Sequence, residues 1–213
     1  MTKQELLDMA KYAVLPNGKE YSINAFMLPD GEQYKGWNLN THHYTTKYHR
    51  ECLLPALQSL LNFEVDYSSY FVKEAFSGDF DISNWYPKKD FTFNTYCIND
   101  GEVMQGATFD TLTENNYNTK DITDFHRLFR YAHKCSQVVN LGGGNGRTLL
   151  ISADSQMIPS IPILCTIFKE LWYIDNREKK NIWSHIKDIP FTDVLVLLNW
   201  NKLEFYINDN FKG

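Results

Sequence analysis

Apolar positions near the start of the chain recur at helical spacing. Leu6, Met9, Ala10 and Ala13 share one face, and Thr2 with Glu5 has the form of a capping box, so a helix is expected over residues 2–14. Pro16-Asn17-Gly18 ends it, and residues 22–28 and 33–39 read as strands around Pro29-Asp30-Gly31. A second helix is expected over 45–62, with Tyr48, Cys52, Ala56, Leu57, Leu60 and Leu61 inward and a kink or restart at Pro55. Residues 67–76 are strand-like. The segments 91–98 and 102–109 flank Asn99-Asp100-Gly101, whose residues tolerate the positive φ of a tight hairpin turn.

Residues 110–120 are polar, Asn-rich and without periodicity, which suits a linker or long loop. Beyond them Ile122, Phe125, Leu128, Phe129 and Ala132 mark a helix over 121–136. Short apolar strands over 137–141 and 148–152 surround the run Gly142-Gly143-Gly144-Asn145-Gly146-Arg147, read as a flexible hairpin tip. Ser160 stands where it can cap a fourth helix, with Pro162 in its first turn and Leu164, Ile167, Phe168 and Leu171 on its core face. A fifth helix is expected over 177–188, a central apolar strand over 194–198, and a half-wet strand over 203–208. Hairpins and helices without a regular alternation imply an α+β fold with a mostly antiparallel sheet and about five helices. Two halves, 1–112 and 120–213, are expected, as separate domains or as one.

Composition narrows the class. With 43% apolar residues in 213, the chain can bury a core and is not disordered as a whole. A formal net charge of −5 excludes a generally basic nucleic-acid coat. The polar start and the lack of a long apolar run imply a cytoplasmic protein without membrane contact. The four cysteines, Cys52, Cys97, Cys135 and Cys165, form no CxxC pair, so free buried thiols are expected, with no zinc and no cofactor.

Three segments carry candidate chemistry. The first is basic: His126, Arg130, His133 and Lys134 recur at helical spacing with Arg127 beside them, and the Gly-rich run with Gly143, Gly144 and Arg147 follows. Such a cluster in an acidic chain suits a phosphate or carboxylate partner, because arginine donates two parallel hydrogen bonds to an anion. The run is no P-loop, since Lys-Ser/Thr is missing, and its glycine spacing does not fit a dinucleotide fingerprint. The second is Thr41-His42-His43-Tyr44 with His49, Arg50 and Glu51, in which His42, His43 or His49 could serve as a base. The third is acidic: Asp79 and Asp81, with Ser83 and Asp90, match part of a calcium-hand spacing but lack its glycine and its final glutamate. No Gly-x-Ser-x-Gly elbow occurs.

The first functional expectation is a macromolecule-binding or inhibitor protein without catalysis of its own. Its partner would be a protein or nucleoprotein, held through turn aromatics such as Trp37, Trp85 and Tyr117 and the anion-binding basic face. In composition the chain resembles phage accessory proteins that block host enzymes. The alternative is an enzyme on a phosphate-bearing substrate, a nuclease or nucleotide hydrolase, with His42, His43, His49, Asp79 or Asp81 in proton or metal chemistry.

Overall fold

The structure, a computed structural model, describes residues 1–15, 26–27, 46–77, 80–88, 92–98, 102–108, 135–175 and 183–199. Helix α1 (Lys3–Met9) begins at the expected capping box: Thr2 Oγ accepts from Glu5 N, and Glu5 returns a carboxylate to Thr2 N. The helix is shorter than its sequence period implied. Residues from Ala10 onward form strand β1 (Ala10–Leu15), because pairing in register with β10 (Asp193–Asn199), from Ala10 opposite Val194 to Leu15 opposite Asn199, satisfies their backbone instead.

The remaining strands are β2 (Phe26–Met27), β3 (Tyr70–Ser77), β4 (Phe80–Pro87), β5 (Thr92–Ile98), β6 (Glu102–Thr108), β7 (Cys135–Asn140), β8 (Thr148–Ala153) and β9 (Glu170–Asp175). Eight of the ten form one sheet in the order β2-β1-β10-β8-β9-β7-β5-β6, and β3 pairs with β4 apart from it. Neighbours from β2 through β9 run parallel; β7, β5 and β6 add antiparallel pairings at one side. The fold is thus mixed α/β, and the expected mostly antiparallel sheet is corrected. Leu171 continues the helical spacing of Leu164, Ile167 and Phe168, yet residues 170–175 form β9, whose burial on both faces is that of a strand inside the sheet. The sheet draws strands from both 1–112 and 120–213.

Side chains alternate strictly between two packed layers. Leu149 and Ile151 of β8, Leu171 and Tyr173 of β9, and Leu195 and Leu197 of β10 meet the helices of residues 46–61 and 161–167. Leu150, Trp172, Ile174 and Val194 meet Leu6 of α1 and Ile186 of a short helix, Trp183–Ile186. The result is a three-layer sandwich. The connection from β8 to β9 crosses one face and that from β9 to β10 returns over the other, as right-handed crossovers require.

The helix over 46–61 is irregular where proline demands it. Thr46–Tyr48 (α2) passes into a π-helical turn, His49–Leu53, before α3 (Leu54–Leu61) with Pro55 in its first turn. Proline has no N–H for the carbonyl four residues back and clashes with it. The wider turn resolves the conflict, and Leu54 N bonds the His49 carbonyl. Leu53, Leu57 and Leu61 are fully buried on this segment, so truncating Leu57 to alanine should cost about 2–5 kcal/mol.

Cys97 and Glu102 face each other across antiparallel β5 and β6, as a hairpin at Asn99-Asp100-Gly101 requires, although the turn residues lie outside the described set. So do the expected strands at 33–39 and 203–208, the 29–31 turn, the linker and the helix over 121–134. Cys135 and Ser136, expected at that helix's end, open β7. Cys52, Cys135 and Cys165 are buried free thiols. Among the described residues no helix is long and apolar enough to cross a membrane.

Candidate functional site

The Gly-rich run lies at the amino ends of the parallel strands. It is not a hairpin tip, because β7 and β8 pair with opposite edges of β9 and not with each other. Gly143, Gly144 and Gly146 all have positive φ. Gly144 lies so close to the end of the next helix that a Cβ there would fall 2.5 Å from the Ile167 carbonyl oxygen. Asn145 N donates to that same oxygen at 2.7 Å. The loop is therefore shaped by close packing on the chain itself.

Arg147 is equally committed. Its Nε donates to Asp193 Oδ2 at 2.8 Å, and its Nη2 donates to Asp193 Oδ1. Nη1 and Nη2 also donate to the carbonyls of Asn62 and Leu61 at 2.9 and 2.6 Å, closing the C-terminus of α3. The guanidinium lies over the Phe168 ring, 5.3 Å from its centroid. This fork, expected to hold an anionic partner, holds the protein's own carboxylate and helix end.

The opposite, carboxyl end of β8 leads into a different arrangement. The five parallel strands read β9-β8-β10-β1-β2: from β8 the chain moves to β9 on one side, and from β9 it crosses back past β8 to β10 on the other. That is a doubly wound order, and its switch point lies between β8 and β10. In such sheets ligands bind outside the carboxyl ends of the strands at the switch point. The residues leaving β8 there are Asp154 and Ser155. Asp154 has an extended backbone and accepts from Gln156 N at 2.9 Å, which starts a 3-10 segment, Ser155–Ser160. The Tyr173 hydroxyl of β9 donates to the carbonyls of Ala153 and Asp154 at 3.2 and 3.0 Å. The backbone leading into Ser155 is thus held from two sides.

The 3-10 segment runs directly into helix α4 (Ile161–Ile167). Ser160 precedes that helix as expected, with Pro162 in its first turn, but makes no side-chain cap. Its own backbone is already helical, so the N–H groups ahead are not orphaned. The Ser160 hydroxyl instead shares a hydrogen bond of 2.6 Å with His49 Nδ1, and both residues are wholly buried. Helix α4 contributes Cys165, whose thiol is pushed up by burial into an inert, neutral form.

The helix of 46–61 runs against the parallel strands. Its last carbonyls meet Arg147 at the amino end of β8. Its 16 residues span about 24 Å at 1.5 Å each, against roughly 20 Å for the six residues of β8. Thr46 therefore starts level with the carboxyl end, where Ser155 is.

The sequence-derived candidates separate accordingly. Gly143, Gly144 and Arg147 gather at the amino end. His49 packs on the segment that follows Ser155. Asp81 lies within β4 opposite Phe76, so the segment with part of a calcium-hand spacing is a strand there and not a calcium-hand loop. His42, His43, Asp79, His126, Arg127, Arg130, His133 and Lys134 lie outside the described residues. Among the described residues no group of three His, Cys, Asp or Glu side chains could hold a metal. Ser155 follows the buried strand β8 after one intervening residue, Asp154, and opens the helical turn; no sequence motif marks it.

The fold defines an α/β protein with a doubly wound core, and solved structures share it. Bacillus cereus PatB1 with a sulfonyl adduct is similar at 14% identity, over 94% of this chain and 86% of that one, with a TM-score of 0.59. PatB1 without the adduct matches at 15% identity over the same shares, with a TM-score of 0.58. A DHHW family protein from Eubacterium siraeum matches at 18% identity over 91% of this chain and 78% of that one, with a TM-score of 0.53. No family model and no curated protein matches the chain.

Proposed function

We propose that the chain is an acyl-transfer enzyme, an esterase or acyltransferase, with Ser155 as its nucleophile. The observation that carries this reading is the position of Ser155, two residues beyond the carboxyl end of β8 and beside the switch point, where it opens the 3-10 segment. In the reaction Ser155 Oγ attacks an ester carbonyl carbon while a base takes its proton. The C–O bond to the leaving alcohol then breaks, and that alcohol takes the proton back. Water or a second alcohol repeats the exchange and releases the acyl group.

Two features of the neighbours support the reading. A sulfonyl group is held covalently by an activated nucleophile, and PatB1 carries such an adduct. In one-letter code the name of the DHHW family spells Asp-His-His-Trp, and this chain has Thr41-His42-His43-Tyr44 a few residues before α2. His43 is three residues ahead of Thr46 in sequence and is the preferred base. Thr41 stands where that name has its acid. The parent should hydrolyse p-nitrophenyl acetate, with Ser155→Ala reduced to background and His43→Ala reduced roughly 100-fold or more. Hydrolysis by Ser155→Ala at the parental rate would overturn the reading.

The second reading is the non-catalytic, anion-recognising binder, supported by Arg127, Arg130, His133 and Lys134 clustering in an acidic chain. Affinity for a copurified partner should then fall with salt, and fall further in an Arg127→Ala, Arg130→Ala double variant with an unchanged thermal midpoint. A phosphate-directed enzyme has less support, since Arg147 already holds Asp193.

A further inference from the structure

Two uncommon helical forms meet at one buried hydrogen bond. His49 opens the five-residue π-helical turn. Ser160 closes the six-residue 3-10 segment that Ser155 opens. Long 3-10 runs are uncommon, and π-helical turns occur frequently at functional sites. Pro55 explains why the first helix widens, but not why a histidine is buried there. His49 and Ser160 are each fully buried and joined at 2.6 Å across 111 positions of sequence.

From this we infer that His49 and Ser160 are a positioning pair for Ser155, setting where the start of the 46–61 helix stands relative to the nucleophile. The inference rests on the acyl-transfer reading. Ser155 and Ser160 belong to one continuous 3-10 segment, about 10 Å long at 2 Å per residue. His49 is one turn after Thr46, the first described residue beyond the His42-His43 string. A bond at this point therefore fixes the segment that Ser155 opens against the start of the 46–61 helix. β4 packs on both segments, and its Trp85 is buried with Leu54 and Ile163, so the pair is braced from a third side. Neither side chain touches substrate, since both are sealed from solvent; each acts through the backbone it holds.

The experiment follows sulfonylation of the full chain by phenylmethanesulfonyl fluoride, read by intact mass and peptide mapping. The serine oxygen forms a bond to sulfur, the S–F bond breaks, and fluoride leaves with the serine proton taken by base. Rates are measured from about pH 5 to about pH 9, below the thermal midpoint of every variant. His49→Leu and Ser160→Ala should each lower the plateau rate roughly 10-fold to 100-fold and leave the pH midpoint in place. Ser160→Thr, which keeps a hydroxyl, and His49→Asn, which puts an amide where Nδ1 stands, should recover most of the rate. The double variant His49→Leu, Ser160→Ala should be no slower than either single one. Should His49→Leu not fold, Ser160→Ala, which deletes one atom, carries the comparison. A parent labelled at Ser155 with variants that label at the parental rate and lose only thermal midpoint would overturn the inference. A parent that takes no label at Ser155 would instead overturn the acyl-transfer reading.

Discussion

Arg147 and Asp193 form an ion pair that joins the starts of two adjacent parallel strands, with Asp193 almost wholly buried and the Arg147 side chain 28% exposed. The same guanidinium closes α3 through two carbonyls. A planar fork with five donors can serve all these acceptors at once, whereas an ammonium cannot.

Arg147→Ala should therefore destabilise the fold by about 2–4 kcal/mol, since it strips a buried carboxylate of its cation, leaving it only the Thr192 hydroxyl, and takes the Arg147 donors from two helix-end carbonyls. Arg147→Lys should recover less than half of that loss. Urea unfolding of both variants beside the parent checks the order. Equal stability of Arg147→Ala and parent would return the arginine to the role of a free anion ligand.

Gly144 differs from its neighbours in what surrounds it. Gly143→Ala and Gly146→Ala meet open space and face only the left-handed backbone, for about 1–2 kcal/mol each. Gly144→Ala adds overlap with the backbone of Ile167 and Phe168, and should cost about 3–5 kcal/mol. Thermal or urea unfolding of the three variants distinguishes them; three equal losses would mean the close approach is relieved by a shift of α4.

The thiols should react only on unfolding. Cys52, Cys135 and Cys165 are buried and unbridged, and burial keeps the Cys165 thiol protonated. A thiol count by disulfide exchange should find four in denaturant without reductant, and the three buried ones silent in the native protein. Rapid native reaction at Cys165 would contradict its placement in α4.

Legibility followed the range of the forces involved. The capping box of Thr2 and Glu5, the proline-driven irregularity at Pro55, the paired strands beside Asn99-Asp100-Gly101 and the apolar β10 were readable because each rests on neighbours in sequence. Where α1 ends was not readable, since Ala10 and Ala13 fit a helix period and are taken into a strand by β10, more than 180 positions away. β9 was hidden for a related reason: Leu171 continues the apolar spacing of Leu164, Ile167 and Phe168, and only its flanking by β8 and β7 makes it a strand. Arg147 looked like a ligand-binding cation because Asp193 is 46 positions distant. The role proposed for Ser155 has no sequence motif behind it; it rests on the parallel strand that ends two residues earlier and on the switch point beside it.

The most direct test of the account is where a sulfonyl fluoride reacts. The parent treated with phenylmethanesulfonyl fluoride should gain the mass of a single sulfonyl group, mapped to the peptide containing Ser155, and Ser155→Ala should gain none. An unmodified parent, or an adduct that persists in Ser155→Ala, would contradict it.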